Sequence, residues 1–316
     1  MKPAVLFTFV SLCLISISNS VVSLSTLELK HLMKKIIPSL EGTVKGDLGK
    51  IGVLGGSIEY TGAPYFTAIS AFKVGADLVY VVTTDNTAQV IKVYSPDLIV
   101  YPYFNKSHGF KINSLLPKMD VVVIGPGLGR EEETLQLIYN IIEDCKKLQK
   151  PLVIDADGLY AVTKNVSILK DYSSPGVILT PNLREAKYLM ASTTNDSNWY
   201  KYWGDHVSVL IKGREDKYYS IVENVNWGSS EGGSNRRAGG QGDILSGALG
   251  TFYKWAIMAN LNDKENPVHL AKSIAAFAAA QFTRECNAKA FEKHGRSMLS
   301  SDMIQEMHSA FDQIFL

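Results

Sequence analysis

Val121-Val122-Val123-Ile124-Gly125-Pro126-Gly127-Leu128-Gly129 is the stretch on which the rest of the chain turns. Its first four residues are all β-branched and show no polar alternation, the pattern of a strand buried on both faces. The glycines end the run in a tight turn. Residues 131–148 then place apolar side chains at helical spacing, and Leu152-Val153-Ile154 is a second short apolar run that stops at Asp155. Strand, amphipathic helix, strand in that order is the repeating unit of a parallel sheet.

The same alternation extends in both directions. Residues 50–54 form a strand-like run ending in Gly55-Gly56, 65–74 have helical spacing, and 78–83 are a strand-like run rich in β-branched residues. Downstream, 177–179 read as a strand followed by Thr180-Pro181-Asn182, and 207–211 and 218–222 flank 213–216 as the arms of a hairpin. Residues 244–255 and 269–283 are helical, the second rich in alanine. The expected fold class is α/β, a mostly parallel central sheet covered on both faces. In such sheets ligands bind beyond the carboxyl ends of the strands, so the polar residues there carry the functional question. Residues 227–242, rich in glycine and serine, are expected to be a loop.

Composition sets limits. With 46% hydrophobic and 20% charged residues the chain of 316 residues is neither disordered nor a small disulfide scaffold. Its net charge is +1, and dropping the first twenty residues removes Lys2 and no acid, leaving zero. A neutral chain argues against nucleic acid or an anionic membrane as a general partner. Of the three cysteines, Cys13 lies in the apolar leader, and Cys145 and Cys286 show no metal-type spacing and read as inert buried thiols. The scattered histidines, His31, His108, His206, His269, His294 and His308, suggest no metal site either.

Residues 1–22 are expected to be a targeting segment. Lys2 precedes an uncharged apolar run over 4–17 and the small residues Ser18-Asn19-Ser20. That run is too short for a comfortable membrane span of roughly 20 residues. The secretory pathway or endoplasmic reticulum is the first destination, with mitochondrion and cytoplasm as alternatives. Residues 23–316 contain no long linker and no repeat, and are expected to form a single domain.

The sharpest chemical signal is Gly239-Gly240-Gln241-Gly242-Asp243, running into the helical period of Leu245, Ala248, Leu249 and Phe252. Glycines before a helix let unpaired backbone N–H groups approach a phosphate closely, and the helix dipole favours the anion. Asp243 in the first turn adds a base beside that nest. Arg236 and Arg237 lie just upstream, either as a polyphosphate clamp or as a solvated basic pair. The turn at 125–129 has G-x-G-x-G spacing, which departs from the dinucleotide fingerprint, and no P-loop is present. Asn182 and Glu185 lie one helical turn apart. They read either as a ligand-facing pair, with Glu185 ordering Mg²⁺ through water, or as a helix cap with an acid in the first turn. Residues 212–216 suit either a nucleotide contact or a polar hairpin turn.

Taken in order, Gly-Gly-Ser-x-x-Tyr-x-Gly-Ala at 55–63, Gly-Pro-Gly-Leu-Gly at 125–129, Asp-Ala-Asp-Gly-Leu at 155–159, Thr-Pro-Asn-x-x-Glu at 180–185 and Gly-Gly-Gln-Gly-Asp at 239–243 resemble the ATP-dependent NAD(P)H-hydrate dehydratases of the ribokinase-like superfamily. The likeness spans the chain after its leader. It implies a ribokinase-like three-layer αβα sandwich and an enzyme that restores the S epimer of hydrated NADH or NADPH, giving ADP and phosphate from ATP, with Mg²⁺ as cofactor. It implies that Lys212, Gly213, Arg214, Glu215 and Asp216, together with Arg236, Arg237, Ala238, Gly239, Gly240, Gln241 and Gly242, contact ATP. Gly127 or Gly129, with Asn182, Leu183, Arg184, Glu185, Ala186, Lys187 and Tyr188, would contact the hydrate. Asp243 would touch the hydrate and act as the base, its ordinary pKa of about 3.9 implying a proton lost late in phosphoryl transfer.

Many bacterial members carry His where this chain has Asn182, and are fused to an epimerase for the R form. The resemblance therefore implies a separate epimerase as functional partner, and it leaves a homo-oligomer open. Three other readings compete. The nearest is a small-molecule kinase of the same superfamily, acting on a vitamin precursor or a sugar. The others are a nicotinamide-dependent oxidoreductase using the 125–129 turn, and a non-catalytic nucleotide-binding module.

Overall fold

The computed structural model describes residues 24–316, so the targeting segment expected at 1–22 lies outside the described residues. Nine strands form one sheet: β1 Lys50–Leu54, β2 Leu78–Val82, β3 Ile99–Tyr101, β4 Val121–Ile124, β5 Leu152–Ile154, β6 Val177–Leu179, β7 Val207–Ile211, β8 Asp216–Tyr219 and β9 Trp227–Ser229. The order across the sheet is β3-β2-β1-β4-β5-β6-β7-β8-β9. The pairings from β3 through β7 are parallel, and β8 and β9 add antiparallel at one edge.

The helices are α1 Thr26–Lys35, α2 Gly62–Val74, α3 Asp85–Tyr94, α4 Gly109–Leu115, α5 Glu132–Lys147, α6 Ala156–Lys164, α7 Leu183–Ser192, α8 Gln241–Met258, α9 Pro267–His294, α10 Ser300–Gln305 and α11 Met307–Phe315. They divide into two layers, and alternation along the strands shows how. Val121 and Val123 face one core with residues of α1, α2, α3, α8, α9, α10 and α11. Val122 and Ile124 face a second core with residues of α4, α5, α6 and α7. The uninterrupted apolar runs are therefore strands with a helix layer on each side, as their sequence requires. This is the three-layer α/β arrangement expected.

Beyond elements the apolar pattern did not announce, β3 among them, the structure departs from expectation at the hairpin edge of the sheet. The second arm of the hairpin begins at Asp216 and ends at Tyr219, earlier than the apolar pattern over 218–222 suggests. The stretch 227–242 is a loop only in part, because Trp227–Ser229 pairs with β8 as the edge strand β9. Trp227 explains this: its ring stacks on Tyr218 at 5.8 Å and its indole N–H donates to the Ser273 carbonyl on α9.

Close packing of α8 against α2 fixes where the glycine-led helix begins. A Cβ on Gly247 would lie 2.0 Å from the Thr67 carbonyl, so only glycine permits that approach. The buried hydroxyl of Thr251 donates to the Ala71 carbonyl at 2.8 Å on the same face. The start of α8 is thereby held at the carboxyl ends of the central strands.

Candidate active site

Asp155 follows β5, Asn182 follows β6 and Lys212 follows β7, and the strand order makes them neighbours. Lys212 Nζ lies 2.6 Å from Asp155 Oδ1, with both side chains largely withdrawn from solvent. Burial alone would lower the Lys212 pKa, but the carboxylates of Asp155 and Glu185 outweigh it and the net shift is upward. Lys212 is therefore a fixed cation at the centre of the site. Its backbone is fixed too, by its N–H bond to the Pro181 carbonyl at 2.8 Å.

The start of α8 meets this pair. Gly240 caps the helix with φ +94°, and a Cβ there would strike Phe66 and Ser300. Gly242 faces the cluster: a Cβ on it would lie 3.2 Å from Lys212 Nζ. Asp243 occupies the first helical turn, half-buried. Burial pushes its pKa up to about 8, with the Asp155 carboxylate adding to the rise and the Lys212 ammonium opposing it. This changes the expectation drawn from an ordinary aspartate. Once ionised, Asp243 is a far stronger base than a surface carboxylate.

Two clefts open on either side of the cluster, and Asn182 lines both. The first, of about 430 Å³, is lined by Lys212, Gly213, Asp216, Arg237, Ala238, Gln241, Gly242 and, from α9, Thr283, Arg284 and Asn287. Its walls are tied together from α9. Arg284 pairs with the buried Asp216 at 2.7 Å and donates to the carbonyls of Gly213, Arg214 and Gly232. Asn287 accepts from the Ser234 backbone N–H at 2.6 Å and donates to the Arg236 carbonyl. Asp216 thus spends its carboxylate on Arg284 and the Gly213 N–H. Arg214 and Glu215 are exposed at the turn, where Glu215 pairs with Lys217. Gly239 lies beside this wall, its carbonyl accepting from Ser300. Arg236 is half-buried, and its Nε has no partner among the described residues.

The second cleft, of about 420 Å³, is lined by Arg130, Ala156, Leu159, Tyr160, Thr163, Lys164, Asn182, Arg184, Glu185 and Tyr188. Here both readings of the Asn182–Glu185 pair meet. Asn182 caps α7 through the N–H groups of Arg184 and Glu185, and Glu185 accepts from the Asn182 N–H at 2.8 Å, a full capping box. The cap uses the Asn182 oxygen and one Glu185 oxygen, leaving the amide NH₂ and the other carboxylate oxygen for a ligand. Burial raises the Glu185 pKa, against the pull of Lys212. Leu183 and Lys187 are exposed and Ala186 is buried, and none of the three lines either cleft.

The 125–129 turn after β4 lines neither cleft, Gly127 and Gly129 included, and leads into Arg130, which lines the second. A Cβ on Gly125 would lie 1.8 Å from the Asp155 carbonyl, so this turn packs on the next strand end instead of opening a helix. Gly127 has φ +65° and packs on Tyr60 and Ala63, while the Gly129 N–H donates to Asp157 at 3.0 Å. Sequence reasoning placed Asp155 at a strand end but gave it no partner, and it missed Asp157, Arg130, Tyr160, Lys164, Arg284 and Asn287. The strand-end rule was the available signal for Asp155.

Comparison with known proteins identifies the family. The family model for NAD(P)H-hydrate dehydratase matches residues 51–309. The ATP-dependent (S)-NAD(P)H-hydrate dehydratase of Aedes aegypti is 47% identical over 285 residues, covering 89% of this chain and 83% of that protein. The Homo sapiens protein of the same name is 42% identical over 297 residues, covering 90% and 84%. Among solved structures, a ribokinase-like protein from Enterococcus faecalis aligns with TM-score 0.74 at 18% identity, over 93% of this chain and 96% of that one. The Bacillus subtilis ADP/ATP-dependent NAD(P)H-hydrate dehydratase, co-crystallised with ATP/Mg²⁺, aligns with TM-score 0.67 at 19% identity, over 90% and 97%. Those two structures share the fold, while the family match and the nearer relatives carry the kinship: the chain belongs to the NAD(P)H-hydrate dehydratase family.

Proposed function

We propose that the protein is an ATP-dependent dehydratase that returns the S epimer of hydrated NADH or NADPH to the reduced cofactor, releasing ADP and phosphate. The observation that carries this is the start of α8, where a glycine nest and a strongly basic aspartate lie beside a buried lysine–aspartate pair. Family membership supplies the substrate.

ATP occupies the first cleft, its phosphates reaching Lys212 and the N–H groups of Gly240, Gln241 and Gly242. The hydrate enters from the second cleft, with its ring hydroxyl at Asp243. Asp243 accepts the hydroxyl proton as that oxygen attacks the γ-phosphorus and the bond to the ADP oxygen breaks. The helix start and Lys212 stabilise the transferring charge. In the second stage the ring C–O bond breaks with phosphate as leaving group, the neighbouring ring carbon gives up a proton to the departing phosphate, and the C–H electron pair forms the ring double bond. Phosphorylation is what makes this elimination accessible, because phosphate leaves far more readily than hydroxide. The R epimer needs a separate epimerase to reach the site.

Among the described residues no group of three His, Cys, Asp or Glu side chains gathers closely enough to hold a metal ion. The unengaged oxygen of Glu185 is a carboxylate that would hold, through water, a Mg²⁺ ion brought in by ATP. The ion would supply charge neutralisation on the phosphates.

Asp243→Asn tests the assignment. The variant should bind ATP with an unchanged affinity and lose at least about 100-fold in kcat for ATP-dependent recovery of reduced-nicotinamide absorbance. Full turnover in this variant sinks the role of Asp243. A stable phosphoester from an added alcohol, with no recovery of NADH, points to the kinase reading.

A further inference from the structure

The second cleft contains more positive charge than the reacting ring needs. Arg130, Lys164 and Arg184 line it, together with the rings of Tyr160 and Tyr188. Arg130 is held in place although most of its side chain is exposed. Its Nε pairs with Asp157 Oδ1 at 2.8 Å, and its guanidinium lies 4.6 Å over the Tyr160 ring. Asp157 is anchored in turn by the Gly129 N–H. The two terminal nitrogens of Arg130 make no hydrogen bond among the described residues, so a fixed, half-used fork faces the cleft. Lys164 lies 5.3 Å from the centre of the same Tyr160 ring, from the other end of α6. Arg184 lies 5.8 Å from the centre of the Tyr188 ring, and its Nε meets the Tyr188 hydroxyl at 3.4 Å. Lys164 and Arg184 have no carboxylate partner among the described residues.

We propose that this cleft binds the phosphate-bearing distal arm of the hydrated dinucleotide, with Arg130, Lys164 and Arg184 as its phosphate-recognising residues. The inference rests on the dehydratase reading above. The geometry points the same way: Ala156, which lines the cleft, lies in the chain between Asp155 and Asp157, so this wall adjoins the Asp155–Lys212 pair that meets the start of α8. Of the residues lining the cleft Glu185 is the one acid, on the side near Asp155 and Lys212, and it faces three cations, Arg130, Lys164 and Arg184. A ligand with a neutral hydroxylated ring at one end and phosphates at the other matches that distribution. The phosphate is either the pyrophosphate bridge common to both cofactors or the 2′-phosphate found only in NADPH.

Steady-state kinetics with both hydrates on Arg184→Gln, Lys164→Gln and Arg130→Lys separates these sources. The first two variants remove exposed charges without breaking an ion pair, and the third keeps the charge but loses the fork. Each should raise KM for the hydrate about tenfold, the effect of one lost charge-assisted contact, with KM for ATP unchanged. A rise confined to NADPHX assigns the 2′-phosphate, and an equal rise for both assigns the pyrophosphate. Unchanged KM for both hydrates in all three variants overturns the proposal. Calorimetric binding of ADP-ribose and 2′-phospho-ADP-ribose reads the cleft without turnover. Binding that depends on Arg184 in a protein that dehydrates neither hydrate would keep the cleft assignment and overturn the reaction instead.

Discussion

Replacing Lys212 by Met should destabilise the protein and move its pH profile together, because one ammonium does both jobs. Asp155 has only 2% of its side chain exposed, and Lys212 is its one side-chain partner among the described residues. Removing one partner of a buried pair costs about 3–5 kcal/mol, since the remaining charge is left uncompensated. Asp155→Asn in the same chain removes that charge, so the double variant should recover most of the loss, a coupling of about 2 kcal/mol or more in a double-mutant cycle. Lys212 is also the group that holds the Asp243 pKa down against burial and Asp155. Without it the Asp243 pKa rises beyond about 8, and the acid limb of kcat/KM moves to higher pH. At any pH below that limb, the rate falls about tenfold for each pH unit by which the limb has moved. Urea unfolding at pH 7.5 reads the first effect, and a pH profile of kcat/KM under saturating ATP reads the second. A single variant that loses less than about 1 kcal/mol and keeps its limb near pH 8 would refute the account of the Asp155–Lys212–Asp243 cluster.

In the unaltered protein, kcat/KM should rise about tenfold per pH unit toward pH 8 and level off above it, since Asp243 must be ionised to accept a proton; a limb at pH 4–5 would contradict the raised pKa. The same raised pKa makes Asp243 a stability liability. With its folded pKa raised to about 8, the folded state binds the extra proton between the ordinary carboxylate range and pH 8, so its contribution to stability declines as pH rises through that window. Asp243→Asn should therefore stabilise the protein increasingly from pH 5 to pH 9 in urea melts, and a constant difference would count against this. Gly247→Ala should cost about 1–3 kcal/mol or more, because its Cβ would lie 2.0 Å from the Thr67 carbonyl; thermal unfolding measures it, and an unchanged midpoint would mean α2 and α8 are not in that contact.

The central strands were legible because a strand buried on both faces has nothing polar to blur it. Residues 121–124 and 152–154 read correctly to the residue for that reason. Edge elements were harder. β3 and β9 are three residues each, and β9 lies in a glycine- and serine-rich stretch where Trp227 and the buried hydroxyl of Ser229, which accepts from Gln281, anchor it to α9. The glycine-led start of α8 was visible because capping and helical period are both local. The Asp155–Lys212 pair was not, since 57 residues separate its members and only the strand order brings them together. Arg284 gave no sign at all: it sits inside a long alanine-rich helix, and its role appears only once α9 lies against the hairpin turn. The raised pKa of Asp243 likewise depends on neighbours gathered from separate strands.

The most direct test is to incubate the protein with the S epimer of hydrated NADH and MgATP, following reduced-nicotinamide absorbance and ADP together. The account predicts absorbance recovered in step with ADP and phosphate, one for one, and no recovery when ATP is omitted. Recovery without ATP, or ADP formed with no recovery of NADH, would contradict it.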